Sequence, residues 1–151
     1  MLASVRRMPE AVAISDGDRI SSYRAWQDDI LRAVGGLDDL GLQQGDHLVT
    51  VLQNRYEAAT LHMAAQIAGL VITPLNWRAS GEELDYVLND ADAKALAFEG
   101  TTADMVAAAP FANAIPRVDV DRDWGGLIAA APAPAVSRAT VQDYSVMLYT
   151  S

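Results

Sequence analysis

The stretch "GLQQGDHLVTVLQNRYEAATLHMAAQIAGLVITPLNWRASGEELDYVLNDADAKALAFE", residues 41–99, decides the fold of this 151-residue chain. Its apolar runs, each short enough for a buried strand, lie at 45–54, 70–75 and 94–99. Two helical stretches separate them: one is expected to end at Gly69, and the next begins with a capping box of Ser80 and Glu83. Strands alternating with helices predict an α/β fold, a mainly parallel sheet with helices on both faces.

The residues before this stretch predict a small hairpin and a helix. Two β-like runs, 11–15 and 19–22, flank the turn Asp16-Gly17-Asp18. A helix is expected from Tyr23 to Leu40, with Ser22 as its N-cap. The pair Gly35-Gly36 counts against that helix, because each glycine costs about 1 kcal/mol relative to alanine.

The residues after it predict weaker elements and a closing strand. Helices are expected at 102–109 and 124–131, and a strand at 116–121. The Ala/Pro-rich segment 129–139 predicts an extended connector. The apolar run Val146–Tyr149 predicts a further buried strand of the parallel sheet.

Composition excludes several classes of function. A net charge of −9 argues against nucleic acid or an anionic membrane as the main partner. The lack of cysteine excludes disulfides, thiolate nucleophiles and cysteine-based zinc sites. No segment approaches the roughly 20 apolar residues that span a bilayer, which predicts a soluble, cytoplasmic protein with no membrane span.

Familiar catalytic and nucleotide-binding motifs do not occur. The sequence has no G-x-G-x-x-G, no G-x-x-x-x-G-K-[ST] and no G-x-S-x-G. His47 and His62 have no partner at metal-ligand spacing, so neither a metal site nor a catalytic residue is predicted. Trp77 follows a predicted strand end, where side chains of α/β sheets often face a ligand, whereas Lys94 is expected at the surface.

The order of these segments resembles the N-terminal part of the adenylate-forming (AMP-binding) enzymes, a superfamily of acyl- and aryl-CoA synthetases, luciferases and peptide-synthetase adenylation domains. "PEAVAISDGDRISSYRAWQD" (9–28) is similar to the family's opening hairpin and first helix. Within 41–99, the order G-x-x-x-G-D, L-x-N, an alanine-rich helix, P-L-N-x-R and E-E-L is similar to CoA ligases. "MLYTS" (147–151) resembles the entry to the family's phosphate-binding loop, which continues as Gly-Thr-Thr-Gly-x-Pro-Lys-Gly.

The resemblance implies that residues 1–151 are the N-terminal portion of the large adenylate-forming domain, cut two residues into that loop. The rest of the large domain and the C-terminal domain would then be absent. Thr150 and Ser151 match residues that contact ATP in the family, and their hydroxyl and N–H groups would help hold the β- and γ-phosphates. The alternative for this chain is that they form a frayed terminus.

The resemblance also implies a function for the parent protein: an ATP-dependent acid–CoA ligase that uses ATP, Mg²⁺ and CoA to convert a carboxylic acid, a small-molecule substrate, into a thioester. These cofactors are not expected to bind well to this chain alone, which is predicted to be inactive. Two alternatives stay open, an adenylation domain that loads a carrier protein and a non-catalytic or split-enzyme pairing module. Self-association, or association with the missing remainder of the enzyme, is expected.

Overall fold

A computed structural model describes residues 2–150 of the chain. Its helices and strands follow in the order α1 (Leu2–Arg7), β1 (Val12–Asp16), β2 (Arg19–Ser22), α2 (Tyr23–Asp39), β3 (His47–Val51), α3 (Tyr56–Ala68), β4 (Val71–Pro74), α4 (Gly81–Asp90), β5 (Ala95–Phe98), α5 (Ala103–Ala107), β6 (Arg117–Asp119) and α6 (Trp124–Leu127). Short 3₁₀ turns occupy Gly100–Thr102 and Pro110–Ala114. Within residues 2–150, no helix is both long and apolar enough to cross a bilayer.

Four strands form a parallel sheet in the order β4–β3–β5–β6. The chain leaves β3 through α3 to reach β4 on one side, and then passes back through α4 to β5 on the other side. Strands β1 and β2 form a separate antiparallel hairpin, in which Asp16 pairs with Arg19. The predicted parallel sheet and the predicted hairpin are both confirmed.

Helices cover both faces of the sheet, as the β–α alternation predicted. On one face, Leu48 and Ile72 belong to a core shared with α2, α3 and α6. On the other face, Val49, Val51 and Leu96 belong to a core shared with α4 and α5. Successive side chains of a strand point to opposite faces, so β3 is apolar throughout because it supplies both cores.

The predicted helix caps are present. Ser22 Oγ accepts a hydrogen bond from the Ala25 N–H at 3.3 Å, at the start of α2. Gly69 ends α3 in the left-handed conformation with φ 75°. At the start of α4, Ser80 Oγ accepts from the Glu83 N–H at 3.1 Å, and Glu83 Oε2 accepts from the Ser80 N–H at 2.7 Å. These local patterns fix the helix boundaries without help from the core.

The paired glycines inside α2 have a packing reason that the sequence did not reveal. A Cβ added to Gly36 would lie 2.8 Å from Leu127 Cδ1 and closer still to the Leu127 carbonyl oxygen. A Cβ added to Gly35 would collide with the carbonyl oxygen of Ala131. The two glycines therefore let α6 and the segment after it pack directly on the α2 backbone.

Two helices end earlier than predicted, and a proline explains the first case. The helix expected at 102–109 is α5, which ends at Ala107 because Ala109 precedes Pro110 and is extended, with φ −106° and ψ 100°. The helix expected at 124–131 is α6, which ends at Leu127, a few residues before Pro132. The residue before a proline is disfavoured in the α conformation, and proline has no N–H to continue the helix.

Residues 129–139, predicted to be a connector, contain no helix or strand and are tied to the helices below them. The Ala133 N–H donates to the Leu31 carbonyl oxygen at 2.9 Å. The Arg138 N–H donates to the Ile67 carbonyl oxygen at 2.8 Å, and its guanidinium binds both carboxylate oxygens of Asp38 at 2.6 Å. The segment is thus a strap across α2 and α3.

The prediction of a buried strand at 146–149 is wrong. Val146 forms a single parallel bridge with Ile72 of β4, and no strand is assigned there within residues 2–150. The side chains are not buried either, since Val146 is 36% and Leu148 68% exposed.

A proline on the neighbouring strand explains the short pairing. The Ile72 N–H donates to the Ser145 carbonyl oxygen at 3.1 Å, and the Met147 N–H donates to the Ile72 carbonyl oxygen at 3.0 Å. In a parallel ladder the next donor on β4 would be residue 74, two positions on. Residue 74 is Pro74, which has no N–H, so the ladder stops after one bridge.

Candidate functional site

Thr150, one of the two residues predicted to contact phosphate, lines a cavity of about 590 Å³. The cavity lies between the β4–α4 connection, the first half of α4 and Tyr149. Ser151 lies outside the described residues. The structure thus places Thr150 beside a space large enough for part of a ligand, and the phosphate contact itself stays a prediction.

The β4–α4 connection forms one wall of this cavity and is held by local contacts. The Leu75 N–H donates to the Thr50 carbonyl oxygen of β3 at 2.8 Å, which anchors the start of the connection. Asn76 Oδ1 accepts from the Arg78 N–H at 3.0 Å, a turn typical of asparagine. The Arg78 guanidinium carbon lies 4.4 Å from the centre of the Trp77 ring, a cation–π contact.

Tyr149 forms the facing wall. Its hydroxyl donates to Asp90 Oδ2 at 2.7 Å, and its ring meets Tyr86 edge to face with centroids 6.2 Å apart. Burial, followed by the hydrogen bond to the Asp90 carboxylate, raises the pKa of Tyr149 to about 12. Tyr149 is therefore a neutral, fixed side chain at physiological pH.

The cavity carries one basic and two acidic side chains: Arg78, Glu82 and Glu83. The Ser80 backbone N–H lowers the pKa of Glu83, so its carboxylate stays ionised and is held by the capping box. Among residues 2–150, neither Arg78 nor Glu82 has an oppositely charged group within 4.0 Å. Both charges are available to a ligand.

A second polar cluster lies at the carboxyl ends of β3 and β5. Arg55 Nε lies 2.6 Å from Glu57 Oε2, and its Nη1 lies 2.8 Å from Glu99 Oε2 and 2.7 Å from Asp121 Oδ1. The other Glu99 oxygen accepts from the Gln53 N–H at 2.6 Å. Chain connections diverge here to opposite faces of the sheet, the position where open α/β sheets commonly bind ligands.

This cluster places four of the protein's own charged side chains at that edge of the sheet. Burial lowers the pKa of Arg55, but its hydrogen bonds to Glu57, Asp121 and Glu99 outweigh burial and raise that pKa above its ordinary value. The Gly100 N–H, and then Arg55, lower the pKa of Asp121. Every member is already engaged, so the cluster serves to hold the loops after β3 and β5 together.

The same network joins the hairpin to α3. Arg19 of β2 contacts Asp29 at 3.1 Å and Glu57 at 3.4 Å, and its guanidinium carbon lies 3.3 Å from the centre of the Tyr56 ring. The Tyr56 hydroxyl donates to Asp29 Oδ2 at 2.8 Å. Burial and then the Asp29 carboxylate raise the pKa of Tyr56 to about 12. These contacts hold the hairpin against α2 and α3.

Neither histidine is hydrogen-bonded to a member of either cluster. His47 Nδ1 lies 3.3 Å from Thr73 Oγ1, and burial lowers the pKa of His47. His62 Nε2 lies 3.1 Å from the side-chain amide of Gln66. Across residues 2–150, no group of three or more His, Asp or Glu side chains is arranged to hold a metal ion.

Sequence reasoning missed the Arg55 cluster and the role of Arg78 in the cavity wall. Two partners of Arg55, Glu99 and Asp121, lie 44 and 66 positions away, so no local sequence pattern indicates these contacts. Arg78 did carry a signal, because it is the arginine of the quoted P-L-N-x-R segment. Trp77 lies beside a strand end, as predicted.

The sequence model of the AMP-binding enzyme family matches residues 2–151. A feruloyl-CoA synthase of Amycolatopsis sp is 30% identical over 146 residues, which is 97% of this chain and 29% of that protein. A medium/long-chain-fatty-acid–CoA/3-oxocholest-4-en-26-oate–CoA ligase of Mycobacterium tuberculosis is 30% identical over 104 residues, 69% of this chain and 19% of that protein.

A solved fatty acyl CoA synthetase from Mycobacterium tuberculosis superposes on the chain with a TM-score of 0.91. The alignment covers 99% of this chain and 31% of that one at 23% identity, so it shows a shared fold alone. The chain thus spans less than a third of the length of each of these proteins.

Proposed function

Because the chain belongs to the AMP-binding enzyme family, we propose that it is the N-terminal portion of the large domain of an ATP-dependent acid–CoA ligase. The observation that carries the proposal is the family match over residues 2–151, which leaves no part of the described fold to another family. The 30% identity with a feruloyl-CoA synthase over 97% of the chain supports the choice of CoA ligase within the family.

The proposed reaction has two steps. A carboxylate oxygen of the acid attacks the α-phosphorus of ATP. The bond between the α-phosphorus and the oxygen that bridges to the β-phosphate breaks. Pyrophosphate departs, and the acyl-adenylate remains. The thiol of CoA then adds to the acyl carbon, loses its proton, and displaces AMP to give the thioester. Both steps build charge that preorganised donors and cations would stabilise.

Within this chain we assign Thr150 and Ser151 to phosphate binding and no residue to catalysis. The position of Thr150 on the 590 Å³ cavity supports its assignment. ATP, Mg²⁺ and CoA are the proposed cofactors of the complete enzyme. Because residues 2–150 include no metal-ligand cluster, we assign no side chain to Mg²⁺. The 151-residue chain alone is expected to be inactive.

The experiment that tests this proposal supplies ATP, Mg²⁺, CoA and a panel of fatty, aromatic and alicyclic acids to the complete gene product. We expect one acid class to give AMP, pyrophosphate and a CoA thioester in equal amounts. The 151-residue chain, assayed in parallel, should release no AMP above a blank without enzyme. If no acid in the panel gives a CoA thioester, the proposal of a CoA ligase is refuted.

The same assay separates the two remaining functions. An adenylation domain that loads a carrier protein would release pyrophosphate with its acid but form no thioester with free CoA. A non-catalytic pairing module would give neither product. We further propose a cytoplasmic location and a small-molecule carboxylic acid as substrate.

We also propose that the isolated chain associates with copies of itself or with the remainder of the enzyme. Its support is the exposed apolar surface after the strap: Val141 is 103%, Tyr144 83% and Leu148 68% exposed. Where such side chains form a contiguous patch, that patch marks a site of association. Sedimentation of the purified chain should show oligomers and a hydrophobic dye should bind, whereas a monodisperse monomer that binds no dye would contradict the proposal.

A further inference from the structure

We propose that Tyr149 is a positioning residue: the hydrogen bond from its hydroxyl to Asp90 holds segment 147–150 against α4 and so sets where Thr150 lies. The inference rests on the proposed function, in which Thr150 contacts a phosphate of ATP. It extends that function by assigning a task to the Tyr149–Asp90 pair, which acts on the phosphate site through Thr150.

The first support is that the backbone alone does not hold this segment. Its last backbone hydrogen bond runs from the Met147 N–H to the Ile72 carbonyl oxygen at 3.0 Å. Pro74, the next position of β4 that would face the segment, has no N–H to donate. Within the described part of the chain, residues 148–150 form no backbone–backbone hydrogen bond. Only a side chain can fix their position relative to the sheet.

The second support is that the Tyr149 side chain supplies this contact. Its hydroxyl donates to Asp90 Oδ2 at 2.7 Å, a short distance typical of a bond to a carboxylate. Its ring packs against the core that α4 shares with the sheet and meets Tyr86 edge to face. A tyrosine side chain has only two rotatable bonds, so these contacts leave it little freedom. Because consecutive Cα atoms lie about 3.8 Å apart, fixing Tyr149 also fixes Thr150 beside the cavity.

The third support is the placement of the acceptor. Asp90 is the last residue of α4, and the last turn of that helix carries no basic residue. A carboxylate is disfavoured there, because the helix dipole places partial negative charge at the C-terminal end. The helix itself is firmly packed, since Leu84 and Leu88 are fully buried. Asp90 is thus poorly placed to stabilise its own helix but well placed as a fixed acceptor for Tyr149.

The test measures the two half-reactions of the complete gene product separately, in Tyr149→Phe, Asp90→Ala and the control Tyr23→Phe. Tyr23 is a matched control because the same hydroxyl group is removed, from a tyrosine that begins α2 and does not line the cavity. Acid-dependent exchange between ATP and pyrophosphate measures adenylation without CoA. We expect Tyr149→Phe and Asp90→Ala each to lower kcat/KM for ATP about tenfold, as loss of a hydrogen bond to a charged group does. Tyr23→Phe should leave it unchanged.

Three further readouts distinguish positioning from a general loss of structure. Thioester formation from supplied acyl-adenylate and CoA uses no β- or γ-phosphate, so Tyr149→Phe and Asp90→Ala should match the wild-type rate in that step. The double variant should lose no more than either single variant, because both changes break the same bond. Asp90→Asn keeps an acceptor oxygen and should recover part of the adenylation rate. Equal losses in both half-reactions, or additive losses in the double variant, would overturn the inference.

Limited proteolysis separates this inference from the proposed function. A wild-type protein that forms no adenylate from any acid would refute the proposed function and leave the Tyr149–Asp90 bond to be tested by itself. Chymotrypsin cleavage after residues 147–149, followed by mass spectrometry, reports how often the segment leaves α4. Cleavage should be about tenfold faster in Asp90→Ala and Tyr149→Phe than in Tyr23→Phe, because the lost bond raises the population of the open segment. Equal cleavage rates in the three variants would contradict the role of Tyr149, whatever the activity.

Discussion

Replacing Gly36 with alanine should fail to stabilise the fold, although alanine is the better helix former. In an open helix the change would stabilise by about 1 kcal/mol. Here the new Cβ would lie 2.8 and 2.9 Å from two side-chain carbons of Leu127. It would lie closer still to the backbone carbonyl oxygen of Leu127. Because α6 would have to move, we expect an overpacking cost of about 1–3 kcal/mol that cancels or exceeds the helix gain.

The assay is thermal and urea unfolding of Gly36→Ala beside the matched control Gly125→Ala. Gly125 is also helical, but a Cβ there would meet nothing within 4 Å, so that variant should gain up to about 1 kcal/mol. For a chain of this size 1 kcal/mol corresponds to roughly 2–4 °C in Tm. Gly36→Ala should therefore melt several degrees below Gly125→Ala. Equal stabilisation by both changes would refute the close packing of α6 on α2.

Further predictions concern buried charge and pH. Arg55→Met should destabilise by about 2–4 kcal/mol, because it leaves the buried Glu99 carboxylate without a cation, whereas Arg24→Met breaks only an exposed pair and should cost at most about 1 kcal/mol in urea unfolding. The capping hydrogen bonds lower the pKa of Glu83 in the folded state, so its contribution is complete above its unfolded pKa and is lost as pH falls through the folded one. Glu83→Gln should reduce the fall of Tm at acidic pH. An identical fall of Tm in the variant and the wild-type protein would contradict this role of Glu83. The pKa of Tyr149, raised to about 12, favours the neutral form in the fold, so this stabilisation holds below pH 10 and disappears between about pH 10 and 12. Tyr149→Phe should remove one late-titrating tyrosine from the ultraviolet titration and cost about 1 kcal/mol from the lost bond to Asp90, and an unaltered titration would argue against that bond.

Local chemistry explains which parts of the fold could be predicted. The Ser80–Glu83 capping box and the Gly69 cap are set by neighbours in sequence, and the structure has both where the sequence placed them. Gly36 was interpreted as a residue that weakens α2. The residue that makes a glycine necessary there, Leu127, lies 91 positions further along the chain, so no local pattern indicates the contact. The strand predicted at 146–149 failed for a similar reason, since Pro74 on another strand ends its pairing.

The candidate site divides in the same way. Thr150 was predicted to contact phosphate because it follows an apolar run in a recognisable loop-entry sequence; it lines a cavity, and the phosphate contact stays a prediction. The opposing wall could not be predicted, because the contact of Tyr149 with Asp90 joins residues 59 positions apart. Arg78 belongs to the P-L-N-x-R segment that the sequence analysis quoted. Only the structure shows that its guanidinium has no carboxylate partner within residues 2–150 and that it lines the same cavity as Thr150.

The most direct test of the central claim follows the carboxylate oxygen of the substrate. The complete gene product would be given its preferred acid, labelled with ¹⁸O in the carboxylate, together with ATP, Mg²⁺ and CoA. If the acid attacks the α-phosphorus and AMP leaves in the second step, mass spectrometry should find one ¹⁸O atom in AMP and none in pyrophosphate. Label in inorganic phosphate, with ADP as the nucleotide product, would contradict an adenylate-forming ligase.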